Sequence, residues 1–204
     1  MALKTFVKVG NISSLSDARY CAGMGVDMLG FQVEKDKIDY VNPQSYTEMI
    51  SWLVGVQFIA EFSQSNLAEM NEILQEYPIH AMQIEREDVL EELAEKAKEL
   101  DKLPIGLIFK SESSEQIEKL ATKYNHLVNY FLLANAEDNS LKVLKNLSEK
   151  CNLLIEGDLS QEIVVDLLAN TQIKGIGLQG SIEEKSGLKD FGNLADILEA
   201  LEID

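Results

Sequence analysis

The residues able to do chemistry in this chain recur at intervals, each at the end of a short apolar run. Carboxylates stand there at Glu61, Glu85, Glu156 and Asp158, a cation at Lys110, and amides at Asn11 and Gln83. Glycines close two of the later runs, as Gly157-Asp158 and Gly180-Ser181. Carboxylates that converge on one cavity can serve as acid, base or metal ligand. In a chain this rich in them, solvated loop charges are the other reading. Lys110 could meet an anionic ligand or pair with Glu85. Backbone amides behind a glycine turn can hold phosphate, although tight turning alone also accounts for Gly157 and Gly180. No Ser-His-Asp or Cys-His set can be assembled from these positions. Cys21 and Cys151 lack metal-site spacing and read as buried thiols rather than a disulfide. His80 and His126 have no neighbouring ligands at zinc spacing. No metal and no cofactor are expected.

The elements that carry these positions alternate from end to end. Phe6 to Val9 reads as a strand, and Gly10-Asn11 turns off its end. Ser13 or Ser14 caps a helix with Leu15, Ala18 and Ala22 at helical spacing, Gly25 stops it, and Met28 to Phe31 is a second strand. The polar loop EKDKIDYVN leads to a helix opened by Asn42-Pro43 with Tyr46, Met49, Ile50 and Leu53 inward. Further strands are predicted over Val54–Ile59, His80–Ile84, Ile105–Phe109 (opened by Pro104), Val128–Leu133, Leu153–Ile155 and Ile173–Leu178. Between them lie helices on Leu67, Met70, Ile73, Leu74 and Tyr77, then on Val89 to Leu100 from about Asp88, then on Ile117, Leu120, Ala121 and Tyr124. Two more use Leu141, Leu144 and Leu147, then Ile163, Val164, Leu167 and Leu168 behind a Ser160 cap, and Phe191 to Leu201 closes the chain.

Eight strands each followed by a helix, in 204 residues, predict an α/β fold: a (β/α)8 TIM barrel forming a single domain over 1–204. A doubly wound open sheet is the alternative, but Gly10-Asn11-Ile12-Ser13 is not the glycine-rich turn that usually opens one. In a barrel, strand C-termini face the mouth, where function sits.

Composition narrows the partners. Acidic residues number 35 against 18 basic, a formal charge of −17, which repels nucleic acid and anionic lipid. No signal peptide is apparent, and the longest apolar run, near Ile50 to Ile59, is too short and interrupted to span a bilayer. A cytoplasmic protein with a small anionic or sugar-phosphate ligand is expected, with no nucleic-acid or membrane partner. A phosphorylated ligand would need a local amide-lined or positive pocket to offset the field.

The opening VKVGNISSLSDARYCAGMGVDMLGF resembles that of phosphoribosylanthranilate isomerase, the third-step barrel of tryptophan biosynthesis. That family opens K-x-C-G-[IL]-T-x-x-x-D-A, then A-G-A-D-x-x-G-F; Lys8, Gly10, Asp17, Ala18, Gly23, Gly25, Asp27, Gly30 and Phe31 match. Tyr40-Val41 with Pro43 is similar to R-Y-V-S-P, and Val54-Gly55-Val56 to the family's third strand. Met82-Gln83-Ile84 is similar to V-Q-L-H-G, and Gly187-Leu188-Lys189-Asp190 to G-x-K-D. The resemblance spans nearly the whole chain.

What the resemblance implies for the site is a set of departures. It places the family's general-base cysteine at Val9 and its general-acid aspartate at Ala134, after Leu132-Leu133. The arginine for the anthranilate carboxylate aligns with Asp39, and the fourth-strand histidine with Glu85. The double glycine after strand seven reads Gly157-Asp158, and S-S-G reads Gln179-Gly180-Ser181. Valine and alanine cannot hold or release a proton, Asn135 is not acidic, and Glu137 lies on the loop beyond. The expectation is a degenerate member, a pseudoenzyme that binds a small ligand or a protein at its altered mouth. The alternatives are a mouth re-equipped with Glu85, Lys110 or Glu156 for another sugar or a cationic substrate, and a chain that retains isomerase activity.

Overall fold

The computed structural model describes residues 2–100, 105–180, 183–185, 188–189 and 192–203. Strands β1 (Phe6–Gly10), β2 (Met28–Gln32), β3 (Gln57–Phe62), β4 (Ala81–Ile84), β5 (Gly106–Ser111), β6 (Tyr130–Leu133), β7 (Leu153–Glu156) and β8 (Gly175–Gln179) pair in parallel, in sequence order. The pairing of Phe6 with Gly175 through Gly10 with Gln179 closes the ring. That closure excludes the doubly wound sheet, which would leave two open edges. Helices α1 (Leu15–Gly23), α2 (Pro43–Ile50), α3 (Leu67–Ile73), α4 (Glu87–Leu100), α5 (Ser114–Tyr124), α6 (Leu141–Ser148), α7 (Gln161–Asn170) and α8 (Gly192–Ala200) follow the strands in turn.

Local chemistry explains the boundaries. Ser14, Ser113 and Ser160 accept backbone N–H bonds as helix caps, Asn42 does so ahead of Pro43, and Asn66 with Glu69 forms a full capping box. The third strand starts later than its apolar run suggests. Val54 is 89% exposed and Gly55 sits at φ +78°, so this pair turns the chain and the strand begins at Gln57. Leu141 and Ile163, read as inward, lie largely exposed at the edges of their helices. A short antiparallel pair, β9 (Glu183–Lys185) with β10 (Leu188–Lys189), has no counterpart in the periodicity reading. Pro104, Phe191, Gly187 and Asp190 lie outside the described residues.

Strand alternation sorts side chains into two compartments. Val7, Val9, Leu29, Phe31 and Phe62 face outward into the core shared with Ala18, Cys21, Tyr46, Met70 and the other helical residues. Inside the ring, Met28, Ile59, Ala81, Ile108, Leu132 and Leu154 form a separate apolar floor, edged by Phe6 and Tyr130. Above that floor the inward positions change character to Lys8, Gly10, Gly30, Glu61, Gln83, Lys110 and Glu156. The glycines there are spacers: a Cβ on Gly30 would lie 2.6 Å from Cδ of Glu61.

Gly30→Ala is therefore expected to lower the unfolding free energy by about 1–3 kcal/mol through overpacking. Gly23→Ala, where an added Cβ meets nothing within 4 Å, should raise it by roughly 0.5 kcal/mol. Urea unfolding of the two variants beside the parent chain checks both signs.

A candidate ligand site at the barrel mouth

The mouth is organised by two lysine–carboxylate pairs that point into the barrel. Lys8, fully buried on β1, donates to Oε1 of Glu61 on β3 at 2.6 Å, and Oε2 of Glu61 accepts the Asn11 N–H at 3.0 Å. Asn11 adopts φ +52° to deliver that N–H. Burial pushes the Glu61 carboxyl up, but the Lys8 ammonium, its hydrogen bond and the Asn11 N–H outweigh burial and hold it below the usual range. On the opposite wall Lys110 of β5 donates to Oε1 of Glu156 on β7, also at 2.6 Å. Burial pulls the Lys110 ammonium down, and Glu156 with Glu61 and Glu85 more than reverses this, so it stays firmly charged.

Above these pairs opens a cavity of about 520 Å3, lined from the strands by Asn11, Gln32, Glu61, Gln83, Glu85, Lys110 and Gln179. The loop after β2 closes its side with Asp36, Lys37, Ile38 and Asp39. That loop is clamped at its root by Glu34, a buried carboxylate accepting the N–H groups of Ser63, Gln64 and Ser65 and the hydroxyls of Ser63 and Ser65. Burial raises the Glu34 carboxyl, and these donors together bring it below its ordinary value. Glu85 differs. Desolvation within the cavity raises its carboxyl and Lys110 lowers it, while Glu61 and Glu156 raise it further; the net direction is up. Gln83 is 3% exposed, and its Oε1 has no hydrogen-bond partner among the described residues. Oε2 of the buried Glu156 is unpartnered in the same sense.

The sequence-predicted residues fall into place unevenly. Asn11, Gln83, Glu85, Lys110 and Glu61 share the cavity, and Glu156 lies beside it through Lys110. Lys110 pairs with Glu156 and not with Glu85, because β5 and β7 project these two side chains across the inward-facing end of β6. Val9 is corrected as the base position. Its side chain lies in the outer core, since strand alternation turns it away from the mouth. The mouth-facing residue is Gly10, where a Cβ would lie 2.8 Å from Glu61 Oε1 and 3.0 Å from Lys8 Nζ. Counting K-x-C-G from Lys8 also lands the cysteine on Gly10. Ala134 keeps the inward parity of Leu132 and is 5% exposed.

One amide at each glycine turn is already engaged. Glu137, in the 3₁₀ turn Ala136–Asp138, accepts the Asp158 N–H at 3.2 Å. A Cβ on Gly157 would come within 3.1 Å of the Glu137 Cδ. The Gly180 N–H donates to Gly10 O at 2.7 Å. Ser181 lies outside the described residues. Elsewhere, Cys21 and Cys151 are buried free thiols, each pushed up to about 12 by burial. His80 accepts the Phe58 N–H through Nδ1. Among the described residues no three His, Cys, Asp or Glu side chains are grouped to hold a metal ion, and no helix is long and apolar enough to cross a membrane. The sequence reading missed Lys8 and Glu34 as site-building groups. A lysine inside the apolar alternation of β1 was the available signal for the first.

Comparison with known proteins matches residues 7–200 to the family described as N-(5'phosphoribosyl)anthranilate (PRA) isomerase. An N-(5'-phosphoribosyl)anthranilate isomerase of Trichormus variabilis is 22% identical, over 96% of this chain and 97% of its own. One from Chlorobium phaeobacteroides is 21% identical, over 96% of each. The crystal structure of phosphoribosyl anthranilate isomerase from Thermotoga maritima superposes with a TM-score of 0.77 at 18% identity, covering 97% of this chain and 98% of that one.

Two predictions test the electrostatics. Lys8→Met strands a buried carboxylate and should cost about 3–5 kcal/mol. Because the Glu61 carboxyl is depressed in the folded chain, its contribution is present above the ordinary glutamate value and is lost as pH falls through the folded value. The Lys8→Met deficit should accordingly be largest near neutrality and shrink as acid protonates Glu61, as urea titrations across pH would report. For Glu85 the sign reverses. Its carboxyl is raised, so ionised Glu85 opposes folding above its folded value and is indifferent below the ordinary glutamate value. Glu85→Gln should melt higher than the parent near neutrality, with the gap closing in acid.

Proposed function

Because the chain belongs to the N-(5'-phosphoribosyl)anthranilate isomerase family, we propose that it keeps the family barrel, no longer catalyses that isomerisation, and holds a small polar ligand at its mouth in the cytoplasm. One observation carries the reading: the mouth-facing residues at the ends of β1 and β6 are Gly10 and Ala134. The resemblance assigns those places to the base and the acid of the rearrangement. Neither residue can take or return a proton, and each such loss typically costs a factor of about 10²–10⁴.

The surroundings favour the same reading. Glu137 sits on the Asp158 N–H, and Gly10 O takes the Gly180 N–H, at the turns where a phosphate would seek amides. A phosphate dianion there would also meet Glu137 and Asp158 as like charges. Asp39, in place of an arginine for the anthranilate carboxylate, lines the cavity with the wrong sign for it.

A second reading is favoured by Glu85 and Lys110. A carboxyl raised by its surroundings and an ammonium share one cavity, an arrangement suited to acid–base chemistry on another sugar. Turnover of phosphoribosylanthranilate by purified protein, beside complementation of a tryptophan auxotroph lacking the isomerase, tests the main reading. We expect no growth and a rate at least about 10⁴-fold below that of an active relative assayed in parallel. Growth, or a rate approaching the relative's, overturns the loss of catalysis. Abolition of such turnover by Glu85→Gln would then identify a re-equipped mouth.

A further inference from the structure

The mouth cavity has a chemical bias beyond its lack of acid–base groups. Both lysines that reach the barrel interior are engaged at 2.6 Å, Lys8 by Glu61 and Lys110 by Glu156. One amide at each glycine turn is engaged as well, the Asp158 N–H by Glu137 and the Gly180 N–H by Gly10 O. Beside the Lys37 ammonium on the facing loop, what faces the cavity with capacity to spare is acceptor: the Glu85 carboxylate, just past the end of β4, and Oε1 of Gln83 within that strand. A buried acceptor without a donor costs more than one that is satisfied, so the site gains when a donor arrives. Asp36 and Asp39 flank Lys37 on the facing loop, which leaves the rim net negative, and the whole chain carries −17. Such a field concentrates cations and repels phosphate esters.

The remaining strand-borne lining is amide: Asn11, Gln32 and Gln179. These groups can donate and accept, which suits hydroxyls. The volume, about 520 Å3, lies within the range of small-molecule sites. We infer that the cavity binds a small hydroxylated amine of monosaccharide size, with its ammonium on Glu85 and a donor to Gln83. This deepens the proposed small-ligand reading of the same site and rests on it. It also replaces the anionic or sugar-phosphate ligand expected from the strand-end glycines and Lys110.

The test is calorimetric titration of the full chain near neutral pH with D-glucosamine, D-galactosamine and D-mannosamine. N-acetyl-D-glucosamine keeps the hydroxyls without the charge, and D-glucosamine 6-phosphate and ribose 5-phosphate add the anion. We expect an aminohexose to bind with a Kd below about 10 mM, with N-acetylation weakening it about tenfold or more and neither phosphate ester binding more tightly. Glu85→Gln and Gln83→Leu should each weaken binding about tenfold or more while melting as cooperatively as the parent. Glu149→Gln, an exposed change on the far side of α6, should leave it unchanged. Equal binding of the N-acetyl sugar overturns the cationic assignment and leaves a small-ligand site standing. Preferential binding of a phosphate ester overturns the assignment and weakens the proposed loss of function together with it. Silence from every probe overturns the assignment and the small-ligand reading at once.

Discussion

The constraint on which the mouth depends is the ion pair between Lys8 and Glu61, sealed inside a ring of strands. Two charges in such a place are tolerated because each meets the other at hydrogen-bond distance and Glu61 has a backbone donor for its second oxygen. Space for the pair comes from Gly10 and Gly30, which present no side chain where the Glu61 carboxylate crosses the barrel. The pair on the other wall, Lys110 with Glu156, repeats the ion pair and leaves the second Glu156 oxygen without a partner among the described residues. Between them the barrel changes from an apolar floor to a polar rim within one inward layer, and Gln83 stands at that change.

Periodicity made the scaffold legible. Helical stripes and apolar runs identify eight strand–helix units, and the caps Ser14, Asn42 and Ser160 mark helix starts at the expected residues. The third strand was misplaced because Val54 and Val56 extend its apolar run through a glycine at positive φ. The same limit operated on the site. A strand end can be read to within a residue, yet one residue reverses the direction of a side chain, and this separates outward Val9 from mouth-facing Gly10. Lys8 reads as a surface residue by type, and only closure of the ring puts it opposite Glu61. Glu34 and Glu137 are loop carboxylates by sequence. Their partners are backbone N–H groups of other loops, contacts that leave no trace in spacing.

A theme of internal substitution links these details. At the turn after β7 the chain supplies its own anion, Glu137, to an amide that an external anion would otherwise seek. The interior ammonium groups are likewise answered from within. The result is a mouth whose interior ammonium groups are paired and whose balance of lining charge is negative, with Lys37 set between Asp36 and Asp39 on the facing loop. A carboxyl raised chiefly by burial, as at Glu85, opposes folding when ionised, a cost that is common where a ligand is received.

The close approach at Gly10 ties the end of the first strand to the central pair. A Cβ added there would stand 2.8 Å from Glu61 Oε1 and 3.0 Å from Lys8 Nζ, so these side-chain ends must shift to admit it. A larger residue at the end of the first strand is therefore coupled to the placement of two side-chain ends, one from β1 and one from β3, that otherwise meet each other.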